Sequence, residues 1–413
     1  VDELRLIYDW NRAEGFVFRT KPGFHLNDET LRDGLQSPSV QDPSIERKLE
    51  ILHLMVALDL DSADLGLPGA GKRAASDIER LVKEIADGRM RISPNVAVRT
   101  VIADIEPVIG IQERTGIPVE ACAFLGSSAI RCYTEGWDLD YLLRLTDEAV
   151  RFGTRHDIPM CYVTEDTTRA DPETLDRLYT CAIEAGARRI VVADTVGHAT
   201  PIGVRSLLKH VRGIVQRSGE DVAIDWHGHS DRGLAIPNCM MALASGADRL
   251  HATALGIGER CGNAQMDLLL VNLQLEGIID RDLSRLGEYV RTVSSSTGVP
   301  IPFNYPVFGV DAFRTSTGVH AAAILKARRK GADRLADAVY SGVPAGMVGL
   351  AQTVEIGFMS GKSNVLFALE TRGIEATDEL VDHLLREAKA SPTVLSDERI
   401  DAIVAEHRVA RTD

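Results

Sequence analysis

Positive charge is scarce in this chain: 46 lysines and arginines stand against 60 aspartates and glutamates, a net charge of −14 over 413 residues. With a pI near 5.3, that balance argues against a nucleic-acid or anionic-membrane partner, since both are polyanions. A small anionic substrate is still allowed, because a locally positive site can exist on an acidic protein. Cysteine is also sparse. Cys122, Cys132, Cys161, Cys181, Cys239 and Cys261 stand singly with no CxxC pair. This excludes a zinc ribbon and a disulfide framework and suits reduced thiols in the cytoplasm. No apolar run approaches transmembrane length, and the first residues lack the charged-then-apolar pattern of a secretory signal. The dinucleotide signature GxGxxG is missing after the first candidate strand. The chain is 45% hydrophobic and 26% charged, ordinary for a globular protein with a large core.

What the sequence does contain is an alternation of short β-rich runs with amphipathic helical stretches, from residue 24 to about residue 278. The expected strands are Phe24–Arg32, Leu58–Gly66, Ser93–Arg99, Val119–Leu125, Met160–Glu165, Arg189–Asp194, Val222–His229 and Arg249–Leu255. Helical patterns follow them, for example Ser44–Leu58, Asp138–His156, Asp171–Ala185 and Leu234–Ser245. Asp171-Pro172-Glu173 places Asp at an N-cap and Pro at the first helical position. Eight strands with crossover helices predict a (β/α)8 TIM barrel over residues 1–285, including a short N-terminal leader. A doubly wound sheet is the alternative, because periodicity does not show closure. Ser294–Gly298 and the prolines at 300, 302 and 306 read as linker and loop. Residues 286–413 are expected to form small helical subdomains, with helices near Ala312–Arg329, Thr377–Ala390 and Ser396–His407.

In such a barrel the chemistry sits at the C-terminal ends of the strands, and polar residues collect there. They include Arg32 and Asp33, Asp64, Arg99, Ser128 and Arg131, Glu165 and Asp166, Asp194 and Thr195, and His227 with His229. Residues i and i+2 of a strand share a side, so His227 and His229 can reach one metal ion. Asp33 lies close to that pair once the barrel closes. Two imidazoles, a carboxylate and open positions suit a catalytic Zn, Mn, Mg or Co ion. Arg32 has two readings: a structural salt bridge, for instance with Asp64, or a fork that binds a carboxylate or oxyanion. Thr195 and Ser128 read first as helix caps, and Glu165 as an i,i+4 partner of Arg169.

Three segments carry a resemblance. Asn27-Asp-Glu-Thr-Leu-Arg-Asp-Gly-Leu-Gln36-Ser-Pro38, His227-Gly-His229-Ser-Asp231-Arg-Gly-Leu-Ala235 and Gly256-Ile-Gly-Glu-Arg-Cys-Gly-Asn263 resemble the 2-isopropylmalate synthase and homocitrate synthase family. Glu165–Arg169, Asp194–Gly197, Thr317–His320 and Ser360–Ser363 extend the match over about residues 24–365. Members are metal-dependent barrels of amino-acid biosynthesis that condense acetyl-CoA with a 2-oxo acid. The resemblance implies Asp33, His227 and His229 as metal ligands, with Asn263 close by or coordinating. Arg32 and Thr195 would hold the 2-oxo acid, with Asp64, Arg99 and Ser128 on the substrate side. Glu165, His320 and Tyr340 match positions implicated in acid/base chemistry. A cytoplasmic homodimer is implied.

There are departures. Asp64 stands where the family usually has Glu, and Ser230 replaces the usual Asn. Arg131 stands where 2-isopropylmalate synthases typically have His, and an Arg there could read a second substrate carboxylate. Gln36-Ser-Pro38, by contrast, looks like the isopropylmalate branch. The expectation is a 2-isopropylmalate synthase-like acyltransferase, with homocitrate or citramalate synthase-like specificity as the alternative. An acyl-CoA lyase or aldolase on the same barrel, or a metabolite-binding protein without turnover, also stays open. No regulatory domain, and no leucine feedback through one, is expected.

Overall fold

A computed structural model describes residues 6–13, 20 and 23–409. Parts of the expected leader, and residues 410–413 of the expected C-terminal subdomains, lie outside the described residues. The chain divides into two compact units, Val17–Pro300 and Val1–Phe16 with Ile301–Asp413. Among the described residues, no helix is long and apolar enough to cross a membrane.

The first unit is a closed parallel barrel. Its strands are β1 His25–Asp28, β2 Ser62–Asp64, β3 Ser93–Arg99, β4 Glu120–Gly126, β5 Met160–Glu165, β6 Arg189–Asp194, β7 Ala223–Gly228 and β8 Arg249–Ala252. They hydrogen-bond in sequence order. Pairing of β1 with β8, His25 to Arg249 through Asp28 to Ala252, closes the ring and rules out the doubly wound sheet.

Around the ring run α1 Ile45–Ala57, α2 Lys72–Gly88, α3 Ile102–Thr115, α4 Ala129–Glu135, α5 Leu139–Arg155, α6 Pro172–Glu184, α7 Pro201–Ser218, α8 Ala235–Ala244, α9 Met266–Leu275 and α10 Leu286–Thr297. Caps set several starts: Asp138 accepts from Tyr141 N at 2.7 Å, and Asp171 from Thr174 N at 2.9 Å. Leu52 and Met55 of α1, Leu81 and Val82 of α2 and Leu178 of α6 are fully buried, each worth about 1.5–3 kcal/mol of burial.

The expected linker at Ser294–Thr297 is instead the last turn of α10. The hydroxyls of Ser296 and Thr297 donate to the carbonyls of Thr292 and Val293 at 2.6 and 2.7 Å, so these polar side chains are satisfied within the helix. Gly298, at φ +73°, ends it.

Strand parity explains the interior. On β7, Ile224 and Trp226 face the helical ring while Asp225 and His227 face the axis. The same rule turns Arg249 and His251 of β8, and Glu120 and Cys122 of β4, inward.

The second unit is helical, with α11 Gly318–Arg329, α12 Asp333–Ala338, α13 Lys362–Thr371, α14 Asp378–Ala390 and α15 Asp397–Val409. A two-stranded parallel pair joins β9 Arg314–Thr315 to β10 Thr353–Val354. Val365, Leu369, Leu380, Leu384, Ile400 and Ile403 form a core between the last three helices. Thr377 caps α14 by accepting from Leu380 N.

Candidate active site

At the C-terminal mouth of the barrel, β7 ends in the imidazoles of His227 and His229, whose Nε2 atoms lie 3.2 Å apart. Asp33 Oδ2, from the turn after β1, is 3.7 Å from one Nε2 and 3.8 Å from the other. All three residues are buried. His227 Nδ1 faces Glu29 Oε2 at 3.1 Å, which turns its Nε2 lone pair toward Asp33. Burial, then the neighbouring His227, pushes His229 down to about 4, so it is neutral at pH 7 with a lone pair to offer. Burial opposes ionisation of Asp33, but Arg32 and the two imidazoles hold its carboxyl below the ordinary value.

These residues fit a divalent cation. Asp33, His227 and His229 present converging ligand atoms within 4.8 Å of one another, the two-imidazole, one-carboxylate set of an open catalytic site. Asn263 joins them through a backbone bridge to His229. Its Nδ2 donates to Asp33 Oδ1 at 2.8 Å, while its buried Oδ1 has no hydrogen-bond partner. Such an orphaned acceptor is costly unless something binds it. Gly258 makes room: at φ +151°, a Cβ there would lie 2.1 Å from Asn263 Nδ2.

Arg32 combines both expected roles. Its Nε donates to Asp64 and its Nη1 to Asp33, both at 2.9 Å, and its Nη2 pairs with Glu29. Three nitrogens of a five-donor guanidinium are thereby engaged, leaving one N–H on each Nη. Burial pushes Asp64 up to about 7 against the pull of Arg32. Three carboxylates around one guanidinium leave surplus negative charge for a cation to neutralise.

Beside this cluster opens a cavity of about 200 Å³ with two unlike halves. Glu29, Arg32, Asp33, Asp64, His227, His229 and His251 line one half. Ala97, Cys122, Phe124, Val163, Val191 and Ala193, the inward residues of β3 to β6, line the other. Glu165 and Thr195 line the cavity as well. Burial raises the Glu165 carboxyl above its ordinary value, with Arg131 opposing. Thr195 Oγ1 accepts from Asp166 N at 2.8 Å.

Other expected residues lie elsewhere. Arg99 turns to Asp104, with Nη2 2.7 Å from Oδ1, and is 61% exposed. Ser128 caps α4. Arg131 lies 3.4 Å from Glu165, pairs with Glu135 and packs on Trp137. The i,i+4 contact of Glu165 with Arg169 is replaced by one between Arg169 and Asp166 at 2.7 Å, because αL geometry at Asp166 turns the chain there. His320 and Tyr340, in the second unit, stack with ring centroids 3.9 Å apart.

Sequence reasoning passed over Glu29, His251 and Arg260, which also line the cavity. Parity would have found the first two, since Glu29 follows Asn27 by two and His251 follows Arg249 by two. Arg260, held by Asp231 at 2.8 Å, sits in a loop with no such signal.

The fold and site together define a closed (β/α)8 barrel whose C-terminal mouth holds a buried His/carboxylate cluster that fits a divalent metal ion. The chain belongs to the HMGL-like family, whose model matches residues 24–293. It is 32% identical to the homocitrate synthase of Methanopyrus kandleri, covering 90% of this chain and 88% of that protein. It is 30% identical to a 2-isopropylmalate synthase of Pyrococcus abyssi, over 92% and 77%. The fold is similar to that of the Bacillus subtilis HMG-CoA lyase, with TM-score 0.56, 20% identity, and coverage of 68% and 96%.

Proposed function

We propose that this protein condenses acetyl-CoA with a 2-oxo acid bearing a short, uncharged side chain, a 2-isopropylmalate synthase-like reaction, as a cytoplasmic homodimer. The two-faced cavity carries this reading. The charged half suits the oxo-acid head, and the wall of Ala97, Cys122, Val163, Val191 and Ala193 suits an alkyl group. Among the described residues lining the cavity, both arginines already face carboxylates, Arg32 three of them and Arg260 Asp231. A second substrate carboxylate would therefore enter a net-negative space without an uncommitted cation.

A divalent metal held by Asp33, His227, His229 and Asn263 would supply Lewis acidity to polarise the oxo carbonyl. The two spare N–H groups of Arg32 donate to the substrate carboxylate and to the alkoxide that develops. Thr195 orients the oxo acid. Glu165, with its raised pKa, takes a methyl proton from acetyl-CoA, and the resulting carbon attacks the carbonyl. Water then hydrolyses the thioester to release the CoA thiol.

The test is thiol release from acetyl-CoA by metal-loaded protein with 2-oxoisovalerate, pyruvate, oxaloacetate or 2-oxoglutarate. The monocarboxylates are expected to be turned over at least about tenfold faster, one tenfold being about 1.4 kcal/mol of discrimination. Fastest turnover of 2-oxoglutarate would overturn the substrate class. Cleavage of a 3-hydroxyacyl-CoA without condensation would make the protein a lyase.

A further inference from the structure

Two overlapping sets of residues have metal-ligand geometry, and they share His227: Asp33, His227 and His229, and Glu29, His227 and His251. The second set is engaged internally. His251 Nδ1 is 2.6 Å from Glu29 Oε1, and its Nε2 is 3.0 Å from Asp225 Oδ2. Its Nε2 is thus tied to Asp225, while its Nδ1 lies against Glu29 without forming a hydrogen bond. Glu29 is equally committed, with Oε1 toward His251 and Oε2 toward both His227 Nδ1 and the Arg32 guanidinium. All of these groups except part of Arg32 are buried.

We propose that Glu29 is a positioning residue that fixes the Nδ1–H form of His227 and the fork of Arg32, with His251 clamped behind it on Asp225. One carboxylate thereby aligns a metal ligand and the substrate-binding guanidinium, coupling two parts of the site through a single buried group. Asp225 anchors the arrangement, because Arg189 Nη1 at 2.7 Å and Arg249 Nε at 2.6 Å hold it. A carboxylate behind a ligating histidine fixes its tautomer and ring plane, and its loss weakens metal binding about 10- to 100-fold.

This inference rests on the metal-centre reading, and the experiment separates their failures. Chelator-stripped full-length protein is titrated with Co²⁺ by calorimetry, and the loaded form is checked by its visible absorption. Glu29→Gln is expected to bind Co²⁺ about 10- to 100-fold more weakly with an unchanged absorption band, while His229→Ala loses the site. Unchanged affinity in Glu29→Gln overturns the proposal. So does a tight site that survives His229→Ala but is lost in His251→Gln, which would make the second set the ligands. Wild-type protein that binds no Co²⁺ overturns the metal centre and this proposal together. Should Glu29→Gln not fold, Glu29→Asp, whose shorter side chain withdraws from His227, is titrated with Co²⁺ instead: weaker binding supports the proposal, and wild-type affinity contradicts it.

Discussion

The two ends of the barrel interior use the same residue types to opposite effect. At the N-terminal end, Glu120 and Asp225 meet Arg189 and Arg249, linked at 2.6–3.0 Å. Two acids face two bases, and the network closes on itself. At the C-terminal end, Glu29, Asp33 and Asp64 crowd one guanidinium, Asp33 converges with the two imidazoles, and the Asn263 oxygen is left without a partner. A balanced buried network contributes rigidity, whereas an unbalanced one is held in place so that something else can complete it. His251 joins the two, touching Asp225 below and Glu29 above.

Breaking the closed end should have the largest effect. Asp225→Asn leaves Arg189 and Arg249 short of a counter-charge and is expected to cost about 3–5 kcal/mol in denaturant unfolding. The folded-state pKa of Asp225 is depressed: burial opposes ionisation, but Arg249 and Arg189 outweigh it. Its stabilisation is therefore present above the ordinary carboxylate pKa of about 3.9 and lost as pH falls toward the folded value. The difference between wild type and variant should shrink over that acid range.

The same change at the open end should behave differently. Asp33→Asn in chelator-stripped protein is expected to cost less than Asp225→Asn, because Arg32 keeps Glu29 and Asp64 as partners when Asp33 is neutralised. A loss equal to that of Asp225→Asn would erase the distinction between the ends. Next in size, Gly258→Ala forces a Cβ against Asn263 Nδ2 and Asp33 Oδ1. Metal affinity should fall about tenfold, as for lost support of a ligand shell, measured by titration with Mn²⁺. A smaller effect concerns pH. Because Glu165 is raised by burial and acts as a base, kcat/KM should fall as pH drops through a pKa above the ordinary value of about 4.3. An acid limb at or below that value would remove Glu165 from the role. Smallest of all is Arg99→Ala. Its guanidinium is exposed and turned to a buried Asp104 that keeps the Arg99 backbone N–H as donor, so kcat is expected to stay unchanged in the thiol-release assay.

Strand parity and capping made much of the architecture legible. The helices from Asp138, Asp171 and Thr377 begin where their caps stand. The HxH pair fell at a strand end, and β1–β8 pairing brings Asp33 to it. Closure itself was not legible, because a hydrophobic run says nothing about which strands pair. Ser294–Thr297 misled because serines that satisfy their own helix look, in sequence, like a polar linker. The role of Glu29 was hidden for another reason. Parity puts its side chain inside the barrel, but no sequence pattern joins its carboxylate to His227, Arg32 and His251, which come from three different strands or turns. Arg99 shows the converse: a charged strand-end residue whose nearest carboxylate, on α3, draws it away from the cavity.

The most direct test is the stoichiometry of Mn²⁺ binding to chelator-stripped protein, wild type beside Asp33→Asn. One ion per chain in the wild type and none held tightly in the variant is the expected result. One equivalent bound with equal affinity by both would contradict an open, charge-unbalanced metal centre built on Asp33, His227 and His229.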